Sequence, residues 1–173
     1  MGLISNFQHD RSRDIIARID LGKIKHNLSA LKEQSGGKPV WAVLKANAYG
    51  HGVLEVVRYL YNNGVDQFAV SLLEEALELR EKFKNIQILV MGIVEENGLL
   101  IASENDITLT ISNLNQVQNH QKLAKKLKIH LKIDSGMNRL GFKYDQDILQ
   151  AVEYFRDNEN FMLEGIFTHF STA

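Results

Sequence analysis

A chain of 173 residues, 45% apolar and 24% charged, is long enough to build one cored domain and polar enough to keep it in water. Twenty basic residues against 21 acidic ones leave a formal charge of -1, so neither nucleic acid nor an acidic membrane surface has an electrostatic reason to bind. The absence of cysteine excludes disulfides, thiolate nucleophiles and zinc–thiolate sites, and it suits a reducing cytoplasm.

Residues 1–15 lack the long apolar run and small-residue cleavage site of a secretory signal; they are expected to be a polar leader before one folded unit over 16–173. Asp20 is placed to cap a helix that carries Ile24, Leu28 and Leu31 on one side and stops near Gly36 and Gly37. Pro39 then introduces a β-type run over 40–46. Further runs rich in Val, Ile, Leu and Phe follow at 67–71, 86–92, 107–112, 129–134 and 163–170. Between them, helical spacing relates Leu72, Ala76, Leu79 and Phe83, then Leu114, Val117, Ala124 and Leu127, then Ile148, Val152 and Phe155. No run is long and apolar enough for a membrane span.

Alternating β and α units predict an α/β fold, either a doubly wound sheet or a (β/α)8 barrel, and periodicity alone does not choose between them. In the barrel alternative, about six strands make an incomplete TIM-type barrel, roughly three quarters of the full ring, with two strand edges unpaired.

Three constellations carry possible chemistry. The first is Lys45, which falls where an apolar run breaks into the turn Ala46-Asn47-Ala48-Tyr49-Gly50-His51-Gly52. Ligands of α/β folds gather at the carboxyl ends of strands, and a desolvated amine there favours the neutral state that forms imines. Tyr49, followed by the permissive Gly50 and Gly52, suits a phosphate; an ordinary exposed lysine and an ordinary glycine turn are the plainer readings. The second is the strand His130-Leu131-Lys132-Ile133-Asp134, whose alternation sends His130, Lys132 and Asp134 to one face, where burial demands partners or a function. An internal Lys132–Asp134 ion pair would meet that demand structurally. Arg139, in the glycine-flanked loop beyond, can grip a carboxylate or phosphate. The third is His169, at the end of another apolar strand, where an imidazole can stack on a planar ligand or simply sit satisfied in a core. No HExxH or comparable spacing points to a metal.

Taken in order, these segments resemble the alanine racemases, enzymes of fold type III that use pyridoxal 5'-phosphate (PLP). The resemblance runs through Ile19-Asp20-Leu21 and His26-Asn27-Leu28, the Lys45–Gly52 run, the Leu131–Phe142 run and Thr168-His169-Phe170. It implies a PLP-binding α/β barrel that interconverts L- and D-alanine for peptidoglycan in the bacterial cytoplasm, as a homodimer sharing its active sites across subunits. Lys45 resembles the lysine that binds PLP covalently and serves as the base on the D-alanine face. Tyr49 resembles the tyrosine that holds the cofactor's phosphate, and His169 the histidine beside its ring. Arg139 resembles the arginine near the cofactor's phenolic oxygen that positions the substrate carboxylate, and Lys132 a lysine carbamylated in many members.

Family members continue for roughly as long again, into the last barrel strands and a C-terminal β domain whose tyrosine is the base on the opposite face. The resemblance therefore implies that this chain is the N-terminal part of such an enzyme and inactive alone. Serine racemases and non-catalytic PLP-binding barrels are the alternatives on the same fold.

Overall fold

In a computed structural model that describes residues 16–118 and 123–172, the Asp20 carboxylate accepts the N–H groups of Gly22 and Lys23 and so opens α1 (Leu21–Gln34). The chain leaves α1 through Gly36 and Gly37, whose N–H groups reach back to Glu33 and Lys32. The expected leader over 1–15 lies outside the described residues.

Beyond α1 the order is β1 (Ala42–Val43), α2 (Lys45–Tyr49), α3 (Val53–Tyr61), β2 (Gln67–Val70), α4 (Leu73–Lys82) and β3 (Gln87–Val90). There follow α5 (Glu96–Glu104), β4 (Thr108–Ile111), a 3-10 turn at Leu114–Gln116, β5 (Leu127–Ile133), α6 (Asp145–Asp157) and β6 (Phe161–Thr168). All six strands pair in parallel, in the order β1-β2-β3-β4-β5-β6. A doubly wound sheet reverses its strand order at a switch point; a barrel does not. Strictly sequential order therefore selects the barrel, and the described sheet is an incomplete (β/α)8 ring. Its curl is direct: the Trp41 ring, just before β1, meets the His130 ring of β5 across the concave face at 5.7 Å.

Strand alternation divides the side chains between two environments. Phe68, Val70, Ile88, Val90, Leu109, Ile111, Ile129 and Leu131 face the helices and are fully buried. Each such side chain contributes about 1.5–3 kcal/mol on leaving water, so this layer under α3 to α6 outweighs any single polar contact. The other set, including Trp41, Thr108, Thr110, His130, Lys132 and Phe167, lines the concave side. A bulge between β5 and β6 pairs Ile129 with Leu163 but His130 with Gly165, so Glu164 is the extra residue. Gly165 is required there: a Cβ would come within 2.9 Å of the His130 imidazole.

Two expectations need correction. The helical spacing of Leu114, Val117, Ala124 and Leu127 yields only the 3-10 turn among the described residues; 119–122 lie outside them. Leu127 opens β5 instead, fully buried opposite Phe161 with its N–H on the Asn160 carbonyl, because a parallel neighbour satisfies its backbone as well as its side chain. The run over 40–46 contributes just two strand residues, since the chain turns sharply at Lys45. Conversely, α3 places Val53, Val56, Val57 and Leu60 on one buried face, a stripe visible at i, i+3, i+4 and i+7 that the adjacent glycines masked.

Candidate active site

Leu44 is buried and donates its N–H to the Ala69 carbonyl, which carries the edge of the sheet to the residue before Lys45. The next four residues, Ala46, Asn47, Ala48 and Tyr49, all have φ between 52° and 56° and form one left-handed turn. For L-residues that hand costs about 1–2 kcal/mol each. Local bonds offset it: Ala48 N–H to Leu44, Gly50 N–H to Ala46 and Gly52 N–H to Asn47. The Asn47 side chain also accepts the Val53 N–H at 2.7 Å and so starts α3. At the head of the turn, the Ala46 N–H donates to Glu75 Oε1 of α4 at 2.6 Å. A left-handed turn brings residues four apart together, and the half-buried Lys45 has its Nζ 6.0 Å from the centre of the exposed Tyr49 ring.

Lys132 lies on the concave face of β5, only 6% exposed, with its Nζ 5.8 Å from the centre of the Phe167 ring. Burial, and next the positive charge of Arg139, push its pKa below the ordinary lysine value; Asp134 opposes them more weakly. The ion pair considered for Lys132 and Asp134 does not form. Asp134 instead accepts the N–H groups of Asn138 at 2.9 Å and Gly136 at 3.0 Å, and these bonds hold its carboxyl below the usual carboxylate range.

The loop after β5 is folded back rather than loose. Asp134 N–H donates to the Phe142 carbonyl and Phe142 N–H to the Lys132 carbonyl, a clip that returns Arg139 toward Lys132. Gly141, at φ 132°, has no room for a side chain, because a Cβ would lie 2.6 Å from the Asp134 nitrogen. The Thr168 hydroxyl donates to the Ile133 carbonyl and receives the Ser135 hydroxyl at 2.6 Å, tying this loop to the end of β6. His169, the next residue, is exposed.

Every candidate residue thus stands at or just beyond the carboxyl end of a strand: Lys45 and Tyr49 after β1, Lys132 and Arg139 at β5, His169 after β6. The structure joins Lys45 to Tyr49 and Lys132 to Arg139 in two pairs. Sequence reasoning missed Glu75, Phe167 and Trp41. Only Glu75 had a signal, an acid three residues beyond the residue before α4, and it lacked the Ser or Thr that usually completes that pattern. Burial pushes the His130 pKa below the ordinary imidazole value, outweighing the opposing charge of Glu164, and its ring packs between Trp41 and Phe167. Among the described residues, no cluster of His, Asp or Glu could hold a metal ion, and no helix is long and apolar enough to cross a membrane.

Residues 19–173 match the family model described as alanine racemase, N-terminal domain. An alanine racemase from Methanococcus maripaludis is 45% identical over 167 residues, which are 94% of this chain but 45% of that protein. The chain thus spans less than half the length of the curated relatives it matches. The crystal structure of alanine racemase from E. faecalis superposes with a TM-score of 0.83 at 35% identity, covering 89% of this chain and 43% of that one. A histidine racemase from Leuconostoc mesenteroides superposes at 0.82 with 31% identity, covering 88% and 42%. A model matched over most of the chain, and a shared barrel at these identities, show that the chain belongs to the alanine racemase N-terminal domain family.

Proposed function

We propose that the protein carrying this chain is an amino-acid racemase that interconverts L- and D-alanine with PLP, and that Lys45 is its covalent cofactor lysine. The observation that carries this reading is the left-handed turn after β1, which sets the Lys45 amine beside the Tyr49 ring at the mouth where Lys132 and Arg139 also stand. That donor set fits the cofactor: an amine for its aldehyde, a phenol for its phosphate, and an imidazole, His169, for its ring. When bound, PLP supplies the electron sink for the charge left at Cα on loss of its proton.

The chain's own residues do the rest. Lys45 Nζ takes or returns the Cα proton on the D-alanine face, and Arg139 orients the substrate carboxylate. Lys132, whose pKa burial and then the Arg139 charge push below the ordinary lysine value, attacks carbon dioxide through its neutral form. A nitrogen–carbon bond forms, one proton leaves, and the resulting carbamate becomes an anionic partner for Arg139. Racemisation needs a second base on the opposite face. Tyr59 and Tyr61 on α3, Tyr144 before α6 and Tyr154 on α6 lie outside the segments that carry the resemblance, and the Tyr154 ring packs against Phe155 and Phe161 at the far end of β6. We therefore assign that base to a region these 173 residues do not include, donated by a partner subunit of a homodimer, and expect the chain alone to be inactive. A D-alanine supply for peptidoglycan in a bacterial cytoplasm is the role that follows.

The test is borohydride reduction after adding PLP, with peptide mapping. The cofactor should be trapped on Lys45; trapping confined to other lysines would sink the assignment. The similarity to a histidine racemase favours one second reading, another amino acid as substrate, so alanine, serine and histidine belong in the same racemisation assay. Robust alanine turnover by mass-verified 173-residue chain would refute the two-face argument.

A further inference from the structure

We propose that Glu75 is a positioning residue for Lys45: its carboxylate clamps the left-handed turn to the neighbouring βα unit and so fixes where the amine points. The proposal rests on the reading of Lys45 as the cofactor lysine and adds a residue to which no role has been assigned.

The geometry is a three-donor clamp. Glu75 Oε2 accepts the N–H groups of Ser71 at 2.9 Å and Leu72 at 3.0 Å, at the exit from β2, while Oε1 accepts the Ala46 N–H at 2.6 Å. One side chain therefore ties the carboxyl ends of β1 and β2 together. Leu72 offers no side-chain acceptor, so only the acidic half of a capping box operates at α4, and its second oxygen is free to serve another segment. Ala46 is the first residue of the left-handed turn, and its N–H precedes all the turn's internal bonds. Without Glu75 this donor would have no place in the turn's own hydrogen-bonding pattern. Fixing the Lys45–Ala46 peptide plane fixes the backbone torsion of Lys45, and with it the direction of its side chain. A charge-assisted contact is suited to holding a turn of unfavourable hand, because it is stronger than a neutral one.

Glu75→Gln is nearly isosteric but has a single acceptor oxygen, so it cannot serve both ends of the clamp; the amide nitrogen would face an N–H group instead. The experiment uses the expressed full-length protein carrying this sequence, wild type and E75Q, with Glu75→Ala as a second variant. Amide exchange is followed at Ala46, with Leu109 and Leu131 in the central strands as internal controls. Loss of the charged bond should speed Ala46 exchange roughly tenfold or more while the strand amides stay unchanged. With PLP added, the yield of borohydride adduct on Lys45 and the kcat should fall roughly tenfold, with KM changed far less, as expected for a misplaced amine.

Unchanged Ala46 exchange in both variants overturns the clamp. Fast Ala46 exchange with unaltered adduct yield and kcat overturns the positioning role. If E75Q also speeds the strand amides, Glu75 is a general stabiliser and the proposal fails. Wild-type protein that never carries PLP on Lys45 defeats the cofactor reading instead, and the Ala46 exchange still decides whether Glu75 holds the turn.

Discussion

The Trp41 and His130 rings meet edge to face, centroids 5.7 Å apart and planes inclined at 70°, although three strands lie between β1 and β5 in the sheet. This contact bridges the concave side of the sheet. Behind it, the backbone of β6 comes close enough to His130 that Gly165 has no room for a methyl group.

Gly165→Ala should therefore overpack the interior and destabilise the fold by ~1–3 kcal/mol, whereas truncation by Trp41→Ala should cost ~2–4 kcal/mol through the lost contact surface. Urea titration of both variants measures these losses. A double variant with His130→Ala should recover most of the Gly165→Ala penalty, because the clashing ring is gone.

Lys132 gives a pH dependence of defined sign. Its folded-state pKa lies below the value of about 10.4 for the unfolded chain. Between the two values the unfolded state holds more protons, so this group's contribution to stability rises with pH through that window and is fully lost below it. In buffer free of carbon dioxide, Lys132→Met should be more stable than wild type at neutral pH by ~1 kcal/mol, and the gap should close as the pH climbs through that window. Thermal melts at several pH values read this directly. Adding 13C-bicarbonate should produce a carbamate resonance in wild type and none in Lys132→Met.

Arg80 is a structural counterpart on the helix side. It is 8% exposed, and its guanidinium donates to the carbonyls of Phe83, Lys84, Asn105 and Asp106, joining α4 to the turns before β3 and β4. Burial lowers its pKa, and the Asp106 charge only partly compensates. Arg80→Met should lose ~2–4 kcal/mol, because four part-buried carbonyls are left without a donor. Equilibrium unfolding tests it, with Lys82→Met on the exposed side of the same helix as a control near zero.

The hand of the turn after Lys45 can be probed separately. Ala46 is exposed at φ 52°, so Ala46→Gly relieves a steric penalty at no packing cost and should stabilise the fold by ~1 kcal/mol. An unchanged or lower melting temperature would mean that the turn carries less strain than its torsions imply.

The sequence alone determined the class of fold, the Asp20 cap, five of the six strands to within two residues and the candidate residues at the strand ends. Those features depend on local spacing: alternation for strands, 3.6-residue periodicity for helices, glycine where the backbone bends. It determined the family as well, since the lysine turn and the Lys132–Arg139 segment are contiguous motifs. Periodicity left barrel and doubly wound sheet open and the resemblance implied the barrel; the sequential strand order of the tertiary structure bears that out, because strand order is a pairing between distant segments. Only the tertiary structure decided that Leu127 belongs to β5 rather than to a helix, that Asp134 caps its own loop instead of neutralising Lys132, and that Glu75 reaches across from α4 to the Ala46 amide. In each case a backbone group or buried charge had to find a partner, and which partner lay within hydrogen-bonding distance was settled by the curl of the sheet.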